Sequence, residues 1–162
     1  KSTMRSIAFL IVIGLMISGC DDSRVYEKNY DFNERYWLLN EKPSFEFTIR
    51  DTTQRYNLFC HVRNSVSYPY SRIFITYTLQ DSTNSELRKE MINTFLFDKK
   101  TGEPNGSSGL GDIYDQQLIL VKDFQFTNAG KYSVAFEQFM RTDTLQGVLA
   151  IGLRVEPAKL RK

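Results

Sequence analysis

The sequence predicts an all-β protein: an antiparallel β-sandwich, jelly-roll or immunoglobulin-like, of about seven to eight strands behind an N-terminal lipidated tether. Three observations carry that prediction. From Pro43 onward apolar and polar residues alternate with period two, the signature of strands with one buried face. Clusters of Asp, Asn, Ser, Thr and Gly interrupt the alternation at short, even spacing, as turns between strands do. The composition agrees, because 12 Phe and 9 Tyr supply almost all the aromatics while helix-favouring Ala is scarce.

The N-terminal elements are the most specific. Lys1 and Arg5 form a short basic region, with Met4 the expected natural start, ahead of an unbroken apolar run of 11 residues, Ile7 to Ile17. A membrane-spanning helix needs about 20 apolar residues, whereas the apolar part of a secretory signal needs roughly 7–15. Charges at Asp21, Asp22 and Arg24 follow at once, so the run cannot lengthen into a span. It closes in Ile17-Ser18-Gly19-Cys20, which resembles a bacterial lipobox. That resemblance implies that residues 1–19 are a cleaved signal peptide and that Cys20 Sγ carries a diacylglyceryl group. One acyl chain anchors only marginally and stable attachment takes two or more, which a lipidated Cys20 supplies.

Residues 20–43 read as the lipidated N-terminus and tether. Asp21 to Tyr36 is polar and aperiodic, and Tyr36-Trp37-Leu38-Leu39 is a short apolar knot before Pro43. The knot either plugs one end of the core or forms a docking patch. The sandwich is expected over residues 44–157, with a short tail over 158–162. Within it Phe45, Phe47 and Ile49 fall on one face against Glu46, Thr48 and Arg50. Tyr56, Leu58, Cys60 and Val62 oppose Asn57, Phe59, His61 and Arg63, and Ile73, Ile75, Tyr77 and Leu79 oppose Phe74, Thr76 and Thr78. Further runs are Met91 to Phe97, Leu118 to Val121, Phe124 to Phe126, Tyr132 to Phe139 and Val148 to Val155. Glu86 to Phe97 also admits a helical turn.

Asp98 to Asp115 is the longest break, with four glycines, one proline and little apolar content. Loops that long in a small domain are usually functional or mobile. Its second half sets Gly109, Leu110, Gly111, Asp112, Ile113, Tyr114 and Asp115 as candidate partner-binding residues. The other reading is that Asp112 and Asp115 cap turns through their own backbone while Ile113 and Tyr114 pin the loop. Tyr68 and Tyr70 flank Pro69 between two strands, where Tyr faces anchor interfaces or stack on sugars, or where a rigid turn buries one ring.

Charge and chemistry exclude several classes. Removing residues 1–19 takes away Lys1 and Arg5 and no acid, which leaves 19 basic against 19 acidic residues and no surplus to grip phosphates. If Cys20 is acylated, Cys60 is the only thiol left and no internal disulfide forms. His61 is the only histidine, and as the strand neighbour of Cys60 it points to the opposite face, so the two make no nucleophilic pair. One His and one Cys cannot assemble a zinc site, and the regular spacing of a calcium loop is absent. There is no nucleophile elbow and no phosphate-cradling loop. The spacing of the 19 acids does not by itself decide against a glycosidase-like carboxylate pair. No catalytic residue, cofactor or metal is expected.

Several segments resemble the gliding-motility lipoprotein family of Bacteroidota, the GldH type. They are Phe45-Glu46-Phe47 through Asp51-Thr52-Thr53-Gln54, then Arg63-Asn64 with Tyr68-Pro69-Tyr70-Ser71. Next come Ser108-Gly109-Leu110-Gly111-Asp112-Ile113-Tyr114-Asp115, the most specific, and Ala129-Gly130-Lys131-Tyr132. Glu137-Gln138, Met140-Arg141 and Gly152-Leu153-Arg154-Val155-Glu156 complete the set, in order, behind the lipobox. The resemblance implies an outer-membrane lipoprotein needed for surface gliding, a non-catalytic component working with other gliding-motality and type IX secretion proteins. Asp21-Asp22 matches the acidic residues that follow the anchor in some surface lipoproteins of that phylum. A different class that the same β-sandwich would suit is a carbohydrate-binding surface lipoprotein feeding a glycan importer.

Overall fold

The computed structural model describes residues 24–159, so the expected signal peptide, Cys20 and the last three residues lie outside the described residues. The described chain contains eleven strands and no helix. They are β1 (Tyr26–Asp31), β2 (Tyr36–Leu38), β3 (Ser44–Ile49), β4 (Tyr56–Ser65), β5 (Arg72–Asp81) and β6 (Glu86–Phe95), followed by β7 (Ser107–Ser108), β8 (Ile113–Phe124), β9 (Gly130–Gln138), β10 (Thr144–Gln146) and β11 (Val148–Pro157). One sheet has the order β1-β11-β4-β8-β7 and the other β3-β9-β5-β6, with β10 and β2 pairing as a separate ribbon. Leaving aside the three short strands, consecutive strands change sheet at every step except the β5–β6 hairpin. That wrapping is the jelly roll, and it decides between the two sandwich types the sequence predicts.

The alternating faces meet in one core. Phe45, Phe47 and Ile49 of β3 and Ile73, Ile75, Tyr77 and Leu79 of β5 point inward, opposite Leu58, Cys60 and Val62 of β4 and Ile151, Leu153 and Val155 of β11. Tyr77 ties the layers together: its hydroxyl donates toward Glu90 Oε2 on the neighbouring strand and the Leu120 carbonyl of the opposite sheet, each at 3.2 Å. At one end Phe126 is the centre of an aromatic cluster, its ring centroid 4.5 Å from Tyr132, 4.8 Å from Phe124, 5.7 Å from Tyr56 and 5.9 Å from Phe47. At the other end fully buried Trp37 stacks on Phe32 at 5.3 Å and donates its indole N–H to the Glu41 carbonyl at 2.8 Å. Of the two readings of the apolar knot, Trp37 is the plug.

The structure corrects two expectations about elements. Residues 26–38, expected within a tether, are folded: β1 runs antiparallel to β11 from Tyr26 opposite Val155 to Asp31 opposite Ala150. It escapes the alternation test because it is an edge strand whose side chains are exposed except at Tyr26. The helical alternative for Glu86 to Phe97 fails as well, since β6 pairs along its length with β5. The long loop is also partly ordered into strands. Phe97 bridges Pro104, and Ser107 and Ser108 pair with Asp115 and Tyr114.

Candidate functional site

The strand register sorts the connections into two ends. Three tight connections, β3–β4, β5–β6 and β8–β9, lie at the end where β1 starts beside Val155. All the others, including the β7–β8 hairpin, the β4–β5 loop with Tyr68 and Tyr70, and the β2 and β10 ribbon, lie at the opposite, distal end.

At the proximal end the turns close on themselves. Asp51 Oδ1 accepts from the Thr53 amide at 2.8 Å, and Asp81 Oδ1 accepts from the Thr83 and Ser85 amides at 2.9 and 3.0 Å. These bonds hold both carboxyls below their ordinary range, the Thr53 and Thr83 hydroxyls contributing most. Asp98 does the same in the turn after β6, chiefly through the Thr101 and Lys100 amides. Backbone capping, one of the two readings of Asp112 and Asp115, falls to these three instead. Asp115 is taken up by Arg63, whose Nε and Nη2 reach its two oxygens at 2.8 and 3.3 Å.

The candidate residues separate at the distal end. Gly109, Leu110, Gly111 and Asp112 form the tip of the β7–β8 hairpin, closed by the Gly109 amide donating to the Ile113 carbonyl at 2.8 Å. Gly111 takes φ 66°, a conformation glycine adopts freely. Leu110 at the tip is 90% exposed. Ile113 and Tyr114 are half-buried strand residues of β8. Asp112 holds the tip to the β4–β5 loop, its carbonyl accepting from the Val66 amide at 3.0 Å. Tyr68 is in the core: it stacks on Phe97 at 6.4 Å and donates its hydroxyl to the Arg72 carbonyl at 3.0 Å. Gly147, at φ 77°, makes room for it, because a Cβ there would lie 2.6 Å from Tyr68 Cα. Of the tyrosine pair only Tyr70 reaches the surface.

Tyr70 borders an apolar surface groove of about 750 Å³. Leu39, Phe74, Met91, Phe139 and Met140 supply most of its walls, and Arg141 is its charged residue. Phe139 is 64% exposed and is held by its amide donating to the Phe74 carbonyl at 2.9 Å. The sequence reading did not assemble this groove. Its signals were Phe74 and Met91 in the outward phase of their strands, where polar residues are expected.

Enzymatic chemistry finds no purchase at the cysteine. Cys60 is fully buried, which pushes its thiol well above the ordinary range, and His61 faces the other side of the sheet. Among the described residues no three His, Cys, Asp or Glu side chains come together to hold a metal.

Residues 24–155 match the family model of the GldH lipoprotein. A gliding motility lipoprotein GldH homolog of Christiangramia forsetii is 29% identical over 166 residues, covering 96% of this chain and 97% of that one. The gliding motility lipoprotein GldH of Flavobacterium johnsoniae is 25% identical over 163 residues, covering 94% and 97%. Among solved structures, a family GH115 4-O-methyl-α-glucuronidase aligns at 11% identity with a TM-score of 0.47, over 86% of this chain and 18% of that one. That score is too low to carry fold or function across. The alignments to the family and its named relatives run through nearly every strand described above, and on that ground the chain belongs to the GldH lipoprotein family.

Proposed function

We propose that the protein is a non-catalytic gliding-motility lipoprotein, fixed to the outer membrane by lipid on Cys20, whose distal end docks onto other gliding and type IX secretion proteins. The observation that carries this reading is where the exposed apolar side chains collect. Leu39, Val66, Tyr70, Leu110 and Phe139 lie at the distal end, against Val25 and Leu87 at the proximal one, while Tyr30, Met91 and Ile119 lie along strands β1, β6 and β8. Three residues lie between Cys20 and Arg24, so the two are at most about 14 Å apart. The lipid therefore sits close to the proximal end. Ten-residue strands such as β4 and β11 extend about 33 Å away from it. A surface that is apolar and turned away from the anchor is suited to proteins rather than to the bilayer beneath it. The names of the two relatives support the motility context.

The experiment is a pair of charge substitutions, Leu110→Asp and Phe139→Asp, each tested for gliding, abundance and thermal melting. Both side chains are largely exposed, so the fold is expected to be unaffected, within about 0.5 kcal/mol. Loss of gliding at normal abundance and melting temperature supports distal docking. Normal gliding in both variants removes it.

A further inference from the structure

The outer face of the five-stranded sheet carries a second concavity, separate from the distal groove. The register lays rows of side chains across this face. Asn29, Gly152, His61 and Gln117 form the middle row, Asp31, Ala150, Arg63 and Asp115 the row on its distal side, and Glu27, Arg154, Phe59 and Ile119 the row on its proximal side. Because β11 contributes only Gly152 and Ala150 to the first two rows, a trough of about 310 Å³ is left between β1 and β8. Gly152 is needed for space: a Cβ there would lie 1.9 Å from Asn29 Oδ1, so its absence lets the Asn29 amide lie against the sheet.

The charges lining the trough are already matched, and Asp31 of the distal row lies outside that lining. Arg63 grips Asp115, Arg24 pairs with Glu27, and Arg154 pairs with Glu156 at 2.6 Å. Burial holds the His61 imidazole below its ordinary 6.5, so it is neutral at neutral pH. What remains facing the space is uncharged and hydrogen-bonding: the Asn29 and Gln117 amides, the Ser107 hydroxyl and the imidazole. His61 Nε2 is buried with no partner in the protein, which buried polar atoms rarely tolerate. Beside these groups Phe59 and the exposed Ile119, paired across β4 and β8, form an apolar ledge.

We propose that this trough binds a neutral polyhydroxylated ligand, a short segment of a glycan. Planar amides and an imidazole both donate to and accept from neighbouring hydroxyls, and the apolar face of a sugar ring packs on an aromatic ledge. A charged ligand would need an unmatched counter-charge, and the trough offers none. The volume corresponds to about ten waters at ~30 Å³ each, which a ligand with many hydroxyls replaces bond for bond. This inference does not rest on distal docking, since the trough lies on a sheet face and none of its residues lines the distal groove.

His61, the only histidine, is a built-in reporter. The full lipoprotein, labelled with ¹⁵N-histidine and held in a sugar-free detergent, is titrated with linear hexasaccharides of glucose, mannose and xylose, and with oligogalacturonate as the charged comparison. At least one neutral oligosaccharide is expected to move the imidazole resonances saturably. Gln117→Ala and Asn29→Ala are then expected to weaken binding about tenfold at unchanged melting temperature. The proposal fails if no neutral oligosaccharide moves the signal or if only the charged one does. It fails equally if both variants bind as the unsubstituted protein does.

Discussion

Single side chains decide how this sandwich closes. Tyr77 is fully buried yet polar at its tip, and its hydroxyl reaches both its neighbouring strand and the facing sheet. Tyr77→Phe keeps the ring and strands the Leu120 carbonyl, an expected loss of about 1–3 kcal/mol by chemical denaturation. Burial, with the Glu90 charge adding to it, pushes the Tyr77 hydroxyl from 10.0 up to about 12. The folded state thus holds this proton more tightly than the unfolded chain. Its contribution is complete below pH 10 and is lost as the pH rises toward 12, so the melting temperature should fall across that interval. Tyr77→Phe should make the fall shallower without abolishing it, because burial raises Tyr68 in the same direction. Phe126 is the counterpart at the proximal end, and Phe126→Ala should cost about 3–5 kcal/mol. These roles were partly legible in the sequence, where Tyr77 falls in the inward phase of its run. Tyr68 was not, because a tyrosine beside a proline in a loop reads the same whether it anchors a turn or a partner. Only Gly147 and the Phe97 stack decide it.

Strands with one face in the core were easy to read, the edge strand β3 included, and β1, with both faces largely in water, was not. β4 lies between β11 and β8 with one face in the core, so Tyr56, Leu58, Cys60 and Val62 alternate cleanly. β1 pairs only with β11 and leaves most of its side chains in water, so nothing in its composition separates it from a tether. The two-residue β7 is too short to leave any period. The same asymmetry predicts dynamics: amide hydrogens of β1 should exchange much faster than those of Leu58, Cys60 and Val62 in β4. Equal protection of the two strands would mean that β1 belongs to the cooperative core. The capped turns carry their own pH signature. Asp51, Asp81 and Asp98 are held below their ordinary 3.8 by turn amides and hydroxyls, so their stabilisation is present above that value and fades as pH falls below it. Asp81→Ala should therefore lower the melting temperature at pH 7 and make little difference near pH 2.

The polarity of the molecule emerges only when all its parts are assembled. The alternating runs are local signals and were legible. The groove was not, because Leu39, Tyr70, Phe74, Met91 and Phe139 come from separate segments that only the jelly-roll register brings together. The trough was half legible: His61 and Arg63 stand in the outward phase of β4, but their neighbours Asn29, Asp115 and Gln117 depend on pairings no local pattern reveals. Cys20→Ala should release the protein from the membrane fraction, and alkyne fatty-acid labelling that persists on that variant would contradict lipidation there. The central claim is that the end opposite the anchor meets the motility machinery. Photo-crosslinking in gliding cells tests it most directly, with a photoreactive residue in place of Leu110, Phe139 or, at the proximal turn, Ser82. Distal docking predicts discrete crosslinks to gliding or type IX secretion proteins from Leu110 and Phe139 and none from Ser82. Crosslinks from Ser82 alone, or equally from all three positions, would contradict it.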